Sequence, residues 1–294
     1  MTGLDPVKDE LDALIDSAIV ARRRQMAGLP QEPIASHLVF TGNPGTGKTT
    51  VAHLIASAYH AAGILPKDTV VPVSRKDLVG GYQGQTAAKT AAVFDSARGG
   101  VLLIDEAYSL NGGPHDDYGK EAQAVLLAQA EAHRDDTVVI LAGYGSEDGT
   151  ADAGNHQSMD AFFASNPGLR SRFSRTIHFP DYSRAELATI ARKQLAAEGN
   201  TFADPAASKA FSTALSTVAA RGTGNARDVR QLLQHASRAR ATRIASDPTA
   251  SLTTLTAADF TRAGELMESS LPPKGALVPT GRTRKPVPGP RGGT

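Results

Sequence analysis

Four short runs of consecutive apolar residues punctuate the first half of the chain. They are HLVFT (37–41), TVVPV (69–73), VLLID (101–105) and TVVILA (137–142). Continuous hydrophobicity over such lengths is typical of parallel strands that are buried on both faces. Helical patterns lie between these runs: Asp5 caps a first helix with Pro6 in its first turn, Gly28 ends that helix, a second helix runs to about Gly63, and another covers about 119–132. Strands that alternate with helices predict an α/β layer with a parallel sheet.

The pattern changes after RTIHFPDY (175–182). Ser183 and Glu186 form an S-x-x-E capping box, and only helical spacing follows to about residue 270, apart from at most a short strand near 252–255. We therefore expect an α/β domain over 1–182 and a small helical domain over 183–270.

Two segments have a composition that cannot form a packed core. Residues 271–294 contain six prolines, five Lys or Arg and no acidic residue, so we expect a disordered basic tail. Residues 145–157 read as a polar loop. Either segment is a candidate site for binding another protein.

Composition and charge set broad limits on function. The chain has 294 residues, of which 40% are hydrophobic and 21% charged, as in ordinary globular proteins. Its 31 basic residues nearly balance 30 acidic ones, which favours neither nucleic acid nor a membrane surface as partner. No apolar run reaches the ~18 residues of a membrane span, the amino terminus does not resemble a signal peptide, and there is no cysteine. We expect a soluble cytoplasmic protein with no membrane insertion.

The segment GNPGTGKT directly follows the first predicted strand and precedes a helix. It matches the phosphate-loop (Walker A) pattern G-x-x-x-x-G-K-[ST] in the context that this pattern requires. Lys48 is expected to reach the β- and γ-phosphates of ATP, and the Thr49 hydroxyl to bind Mg²⁺. The predicted nucleotide-contacting residues of this loop are Gly42, Asn43, Pro44, Gly45, Thr46, Gly47, Lys48, Thr49 and Thr50.

A second motif, VLLIDE (101–106), adds hydrolysis to binding. The strand delivers Asp105 to its carboxyl end beside the phosphate loop, where a carboxylate can hold Mg²⁺ directly or through water. Glu106 is then placed to activate the attacking water. Two arginines, Arg172 in NPGLRSRF and Arg227 in GTGNARDVRQLL, are candidates to stabilise charge on the γ-phosphate.

An exposed aromatic residue is predicted in LVGGYQGQ (78–85). Tyr82 and Gln83 lie between Gly81 and Gly84, and a ring on a flexible glycine loop is not a typical core element.

Together these motifs resemble the AAA+ ATPases, and in particular the CbxX/CfqX family. HLVFTGNPGTGKTTVA, DLVGGYQGQTAAKTAAVFDSARGGVLLIDEAYSL and VVILAGY…NPGLRSRF…FPDY carry this resemblance, which covers about residues 3 to 265. The family includes red-type Rubisco activases, EccA-type secretion ATPases and stage V sporulation protein K. The resemblance implies a P-loop AAA+ domain with a parallel sheet, followed by a helical lid, in a hexameric ring.

The resemblance also implies roles for single residues. Arg172 resembles the arginine finger that acts on the ATP of a neighbouring subunit, and Arg227 resembles the sensor-2 arginine of the lid. Tyr144 stands where many AAA+ proteins have a sensor-1 Asn, and a phenol cannot position water as an amide does. Tyr82, Gln83 and Gly84 align with the pore loop that grips a polypeptide, although Gln83 replaces the usual aliphatic residue.

Three functions remain open at this point. The first is an ATP-driven remodeller of a protein client. The second is a nucleotide-gated scaffold for a secretion or sporulation system. The third is a nucleic-acid motor, for which Arg22–Arg24 and the arginines at 238, 240 and 243 could contact phosphates, but the near-neutral charge argues against it.

Overall fold

A parallel five-stranded sheet organises the first part of the molecule. The computed structural model describes residues 1–30, 37–113, 115–145, 158–219, 224–247 and 249–270. The strands are β1 (Leu38–Gly42), β2 (Val70–Val73), β3 (Val101–Ile104), β4 (Val138–Gly143) and β5 (Arg175–Phe179), in the order β2-β3-β4-β1-β5 with every pair parallel. Pro72 is tolerated because β2 lies at the sheet edge, where a missing N–H removes no inner ladder bond.

Helices cover both faces of this sheet. They are α1 (Asp5–Met26), α2 (Lys48–Ala61), α3 (Arg75–Leu78), α4 (Thr86–Ala97), α5 (Asp117–Ala132), α6 (Met159–Ser165) and α7 (Pro167–Arg172), with a 3-10 turn at Ala107–Leu110. One core packs α1 and α2 onto the sheet through side chains such as Phe40 and Ile55. The other packs α4, α5, α6 and α7 onto the opposite face through residues such as Phe94 and Phe162. The predicted α/β layer with a parallel sheet is confirmed.

A separate helical core follows. It contains α8 (Arg184–Ala197), α9 (Pro205–Ala219), α10 (Asn225–Ser246) and α11 (Ala257–Ser270), with a small parallel pair, β6 (Thr201–Phe202) and β7 (Thr254–Leu255). Its centre holds Phe211 and Phe260, whose rings meet edge to face with centroids 5.4 Å apart. The predicted capping box is confirmed: Ser183 Oγ accepts from the Glu186 N–H, and the Glu186 carboxylate accepts from the Ser183 N–H.

Some details differ from the sequence-based expectations. β5 and β6 were not predicted, and Asp5 does not cap α1. Leu4, at φ 56°, holds the cap position, and the Asp5 carboxylate instead accepts from Lys8 Nζ at 2.6 Å. The expected tail (271–294) and all but the first residue of the polar loop (145–157) lie outside the described residues, and the domain boundary at residue 182 stays a prediction.

Within the described ranges, no helix combines the length and the apolar character that crossing a bilayer would require.

A buried histidine fixes the start of the sheet. His37 precedes β1 and packs its ring against Phe173 at a centroid distance of 5.3 Å. Its Nδ1 accepts the Val139 N–H at 3.1 Å, so Nδ1 carries no proton and Nε2–H donates to the Ala130 carbonyl at 3.1 Å. Burial lowers the pKa of His37 below its ordinary value of 6.5. The ring is therefore neutral in the folded protein.

This neutral histidine predicts a loss of stability in mild acid. As pH falls below 6.5, His37 takes up a proton in the unfolded chain before it does so in the folded protein, so unfolding becomes more favourable. Between about pH 7 and pH 5, urea unfolding should show the wild type losing more stability than His37→Asn, whose amide oxygen can accept the same N–H but does not titrate. Identical pH dependence in the two proteins would contradict the assignment.

Candidate active site

The phosphate loop joins β1 to α2 in a backbone conformation that needs glycine. Gly45 and Gly47 have φ of 76° and 100°, in the left-handed region that side chains disfavour. A Cβ at Gly45 would also lie 2.2 Å from the carbonyl oxygen of Gly224, so the main chain of the loop lies close to the residue that precedes α10. The loop leads directly into the amino terminus of α2, which begins at Lys48. Backbone N–H groups at such a terminus can bind phosphate oxygens.

Lys48 lies over this loop with its charge poorly compensated. Its Nζ donates to the carbonyls of Gly42 at 2.7 Å and Asn43 at 2.9 Å. Burial lowers the pKa of Lys48 to about 8; the positive charge of Arg227 acts in the same direction, and the carboxylates of Asp105 and Asp181 oppose it. An anion placed here would restore the charged ammonium.

Two carboxylates meet the loop from the end of β3. The Asp105 N–H donates to the Val73 carbonyl at 2.8 Å and extends the β2–β3 ladder by one residue. Asp105 Oδ1 accepts the Glu106 N–H at 3.0 Å, and Glu106 adopts a left-handed φ of 51°. A positive φ at a residue other than glycine is costly and often marks a functional position. Both side chains are exposed to the cleft and free to act on a ligand.

The oxygen groups of Thr49 and Asp105 suit Mg²⁺. Both residues line the cleft, and hydroxyl and carboxylate oxygens are hard ligands of the kind that Mg²⁺ prefers. In the described part of the chain, no group of three or more His, Asp or Glu could hold a metal by itself. This donor set fits an ion that takes its remaining ligands from phosphates and water rather than from a protein cage.

The predicted residues converge on one cleft of about 620 Å³, a size typical of ligand sites. It is lined by these residues of the sequence-based prediction: Gly42, Pro44, Gly45, Gly47, Lys48, Thr49, Thr50, Asp105, Glu106, Tyr144 and Arg227. Asn43 and Thr46 do not line it, because the Asn43 amide points to Asp181 and the Thr46 hydroxyl donates to the Asn43 carbonyl.

Two tyrosines form the wall beside the carboxylates. Tyr144 follows β4, and its ring centroid lies 6.2 Å from that of Tyr108. Burial, followed by the nearby charge of Glu106, raises the pKa of Tyr108 to about 12, and burial raises that of Tyr144 as well. Both phenols therefore stay protonated and can act as hydrogen-bond donors near Glu106.

Sequence reasoning missed several lining residues. Tyr108 could have been found from its position two residues after Glu106, since the turn at the end of β3 keeps it at the same edge. Tyr182 and Arg230 also line the cleft, but they come from distant segments, and no local pattern marks them.

Arg172 and the predicted pore-loop residues Tyr82, Gln83 and Gly84 also lie outside the cleft. Arg172 ends α7, where its Nε lies 3.3 Å from Glu131 Oε2 and its Nη1 donates to the Gly168 carbonyl. Tyr82 is 76% exposed, on the loop that joins α3 to α4. The start of this loop is tied to α4, because the Gly80 N–H donates to Thr86 Oγ1 at 3.0 Å and Lys89 Nζ donates to the Val79 carbonyl at 2.8 Å.

A phosphate loop, an Asp-Glu pair at the end of another strand of the same parallel sheet and an arginine from the helical domain define a P-loop nucleotide-binding protein. A model of the "ATPase family associated with various cellular activities (AAA)" matches residues 38–181, and an AAA lid domain model matches residues 183–270.

Similarity to known proteins identifies the family within this class of nucleotide-binding proteins. Protein CbbX of Cereibacter sphaeroides is 48% identical over 196 residues, which are 66% of this chain and 60% of that protein. Plasmid-encoded Protein CbxX of Cupriavidus necator is 40% identical over 266 residues, covering 88% and 80%. The solved FIGL-1 AAA domain in complex with ADP has a TM-score of 0.60 at 19% identity, covering 90% of this chain and 82% of that one. The chain belongs to the CbxX/CfqX family of AAA ATPases.

Nucleotide binding should be accompanied by proton uptake at Lys48. At about pH 8 roughly half of the free protein carries a neutral amine, and polyphosphate would raise its pKa and draw in a proton. Calorimetric titration with ADP in two buffers of different ionisation enthalpy should show uptake of about half a proton at about pH 8, and about a tenth at pH 7.

Lys48→Arg is the matched control for this experiment. Its guanidinium keeps the positive charge but does not titrate, so the proton uptake should disappear even though weaker binding remains measurable. Uptake that persists in Lys48→Arg would place the titrating group elsewhere.

Proposed function

We propose that this ATPase works as a homo-oligomeric, hexameric ring, as its family resemblance implies, and remodels a protein client through a central pore. The single observation that carries this proposal is the exposed ring of Tyr82 on a loop whose start is tied to α4. A large exposed aromatic is costly to leave in water, and it offers a sequence-tolerant gripping surface. We place the protein in the cytoplasm, where its substrate ATP is available.

Within the proposed site, each side chain acts on the phosphates or on water. Lys48 and Arg227 neutralise charge on the phosphate oxygens, and the Glu106 carboxylate accepts a proton from the attacking water. Thr49 and Asp105 would hold Mg²⁺, which would neutralise further charge on the phosphates. Tyr144 and Tyr108 donate hydrogen bonds beside Glu106, so Tyr144 serves as a donor rather than as the amide typical of this position.

Arg172, the candidate arginine finger, does not line the cleft of its own subunit. Arg172 is held at the surface by Glu131, away from the residues that line the cleft. An exposed pair of this kind contributes only about 0.2–1 kcal/mol, so Arg172 can exchange Glu131 for a phosphate at small cost. We infer that Arg172 acts on ATP bound to the neighbouring subunit.

Mixing two inactive variants tests this arrangement. Arg172→Ala should lose about a thousandfold in turnover, the usual effect of removing an arginine finger, and Lys48→Ala should lose its own site. In mixed rings, Lys48→Ala subunits supply Arg172 to the intact sites of Arg172→Ala subunits. With equal amounts of the two variants, roughly a quarter of the subunit interfaces should combine an intact site with an intact arginine and recover ATP turnover. Steady-state phosphate release on mixing measures the recovery.

Arg170→Ala is the matched control, because Arg170 lies on the same helix and its guanidinium packs over Phe163 at 5.7 Å. That variant should keep near-normal turnover. Failure of the mixture to regain activity would contradict action between subunits, and full activity of Arg172→Ala alone would do so more directly.

The client should be captured by a hydrolysis-blocked variant. Glu106→Gln removes the proton acceptor, so ATP and client should stay bound, and the client should co-purify. Adding Tyr82→Ala to Glu106→Gln should abolish capture, whereas adding Tyr82→Phe should preserve it because the ring is kept. Quantitative mass spectrometry of the three purified complexes gives the comparison.

Other outcomes would favour other functions. Trapped nucleic acid in place of protein indicates a nucleic-acid motor. Equal capture by the Ala and Phe variants removes the role of Tyr82, and full biological activity of Glu106→Gln indicates a nucleotide-gated scaffold.

A further inference from the structure

The first residue of α10 lies at the junction between the lid and the phosphate loop. Asn225 is 9% exposed and has a left-handed φ of 49°. It lies two residues before Arg227, on the same helical turn. The position of Asn225 therefore fixes the backbone position from which the Arg227 side chain extends.

The Asn225 amide links three separate segments. Its Nδ2 donates to Asp181 Oδ1 at 2.8 Å and to the Pro44 carbonyl at 3.4 Å. Its Oδ1 accepts the Tyr182 N–H at 2.9 Å. The donor and the acceptor of this one buried side chain thus connect the lid to the phosphate loop and to the segment that joins the two cores.

Asp181 continues this connection into the loop. Its two carboxylate oxygens accept from Asn43 Nδ2 at 2.9 and 3.0 Å. The side chains of Asn43, Asp181 and Asn225 therefore form one continuous bridge from the phosphate loop to the lid, which we call the asparagine bridge. This bridge explains why the Asn43 side chain points away from the cleft.

Backbone contacts run alongside the bridge. The Ala226 N–H donates to the Gly45 carbonyl at 3.2 Å, and the Tyr182 hydroxyl donates to the Thr46 carbonyl at 3.1 Å. Tyr182 also packs against the cores of both the sheet and the lid. The carbonyls of three successive loop residues, 44 to 46, are thus bonded to the lid or to the segment leading into it.

We propose that Asn225 is a positioning residue that couples the phosphate loop to the lid and sets Arg227 over the phosphates. The inference rests on the proposed function, in which ATP occupies the cleft and Arg227 contacts it. Phosphates that engage the loop N–H groups reorient the same peptide units whose carbonyls the lid holds, so lid and loop respond together. Each peptide unit of the loop has its N–H on one side and its carbonyl on the other. A movement of the phosphates is therefore passed directly to the lid.

Asparagine meets the requirements of this position better than its nearest alternatives. It tolerates a left-handed backbone, donates to a carboxylate and accepts an N–H. Glycine has the same backbone freedom without the amide. Aspartate has the shape but no donor, and it would place a second carboxylate against Asp181.

Asn225→Gly removes the amide and leaves the backbone conformation accessible. We expect the dissociation constant for a fluorescent ADP analogue to rise about tenfold, and kcat for ATP to fall, as buried hydrogen bonds go unmade. In an Arg227→Ala background the same change should weaken ADP binding by no more than about threefold, since Asn225 acts partly through that arginine. A purely structural residue would give the same loss in both backgrounds.

Asn200 provides the matched control. It is buried to a similar degree, at 7% exposed, and its Nδ2 donates to Glu198 at 3.0 Å, but it does not line the cleft. Asn200→Ala should lower the melting temperature without changing ADP affinity more than about twofold. Equal ADP affinity in wild type and Asn225→Gly, or equal weakening by Asn200→Ala, would overturn the proposal.

Exchanging the two groups of the bridge tests it independently of folding. Asn225→Asp should weaken ADP binding at least tenfold, because two carboxylates then face each other across a hydrogen-bond distance. The double variant Asn225→Asp with Asp181→Asn restores one donor and one acceptor at unchanged total charge, and affinity should return to within about threefold of wild type. A double variant no tighter than Asn225→Asp overturns the proposal.

These measurements separate the two proposals. ADP affinity requires neither hydrolysis nor a client, so a wild-type protein that binds ADP but remodels nothing contradicts the proposed function alone. Unchanged ADP affinity in Asn225→Gly contradicts the coupling role alone.

Discussion

The parallel pairing of β3, β4 and β1 is the constraint on which the nucleotide cleft depends. Register brings Ile104 beside Leu141 and Thr41 beside Gly143, so the three strands end at one edge of the sheet. The phosphate loop, the Asp-Glu pair and Tyr144 each follow one of these ends. Because parallel strands share direction, residues about forty to a hundred positions apart in sequence become neighbours without any long loop to place them. The apolar runs that build the strands therefore also build the site.

The cleft suits a polyanion, because negative charge placed there would balance the positive charges that line it. Lys48, Arg227 and Arg230 line it together with Asp105 and Glu106, and the pKa of Lys48 is lowered because burial outweighs the attraction of nearby carboxylates. The ammonium meanwhile bonds to carbonyls of its own loop. These are weaker partners than phosphate oxygens, so the free protein keeps the lysine folded inward and ready for exchange.

How far the sequence predicts this structure depends on the range of the interactions concerned. β1, β3 and β4 were predictable because inner strands buried on both faces need continuous apolar residues. β5 escaped because it is an edge strand in which only Ile177 and Phe179 are buried. The phosphate loop was predicted because its glycines and lysine lie within seven consecutive positions. The asparagine bridge produces no periodic sequence pattern, because the hydrogen bonds of Asn225 connect residues that are separated in sequence by 44 positions in one case and by 181 in another.

The two candidate arginines differ in how they are held, and this difference bears on how a ring could work. Arg227 follows a buried residue tied to the phosphate loop, so it belongs to the same rigid junction as the site it serves. Arg172 ends a six-residue helix, and its pair with Glu131 leaves the side chains 38% and 49% exposed, a contact worth less than about 1 kcal/mol. A firmly held arginine such as Arg227 suits the transmission of nucleotide state to its own lid. A loosely held arginine such as Arg172 suits contact with the nucleotide of a neighbouring subunit. In the proposed ring, one nucleotide would thus be read by two subunits, through a rigid path and an exchangeable one, which is what coordinated turnover around a closed assembly requires.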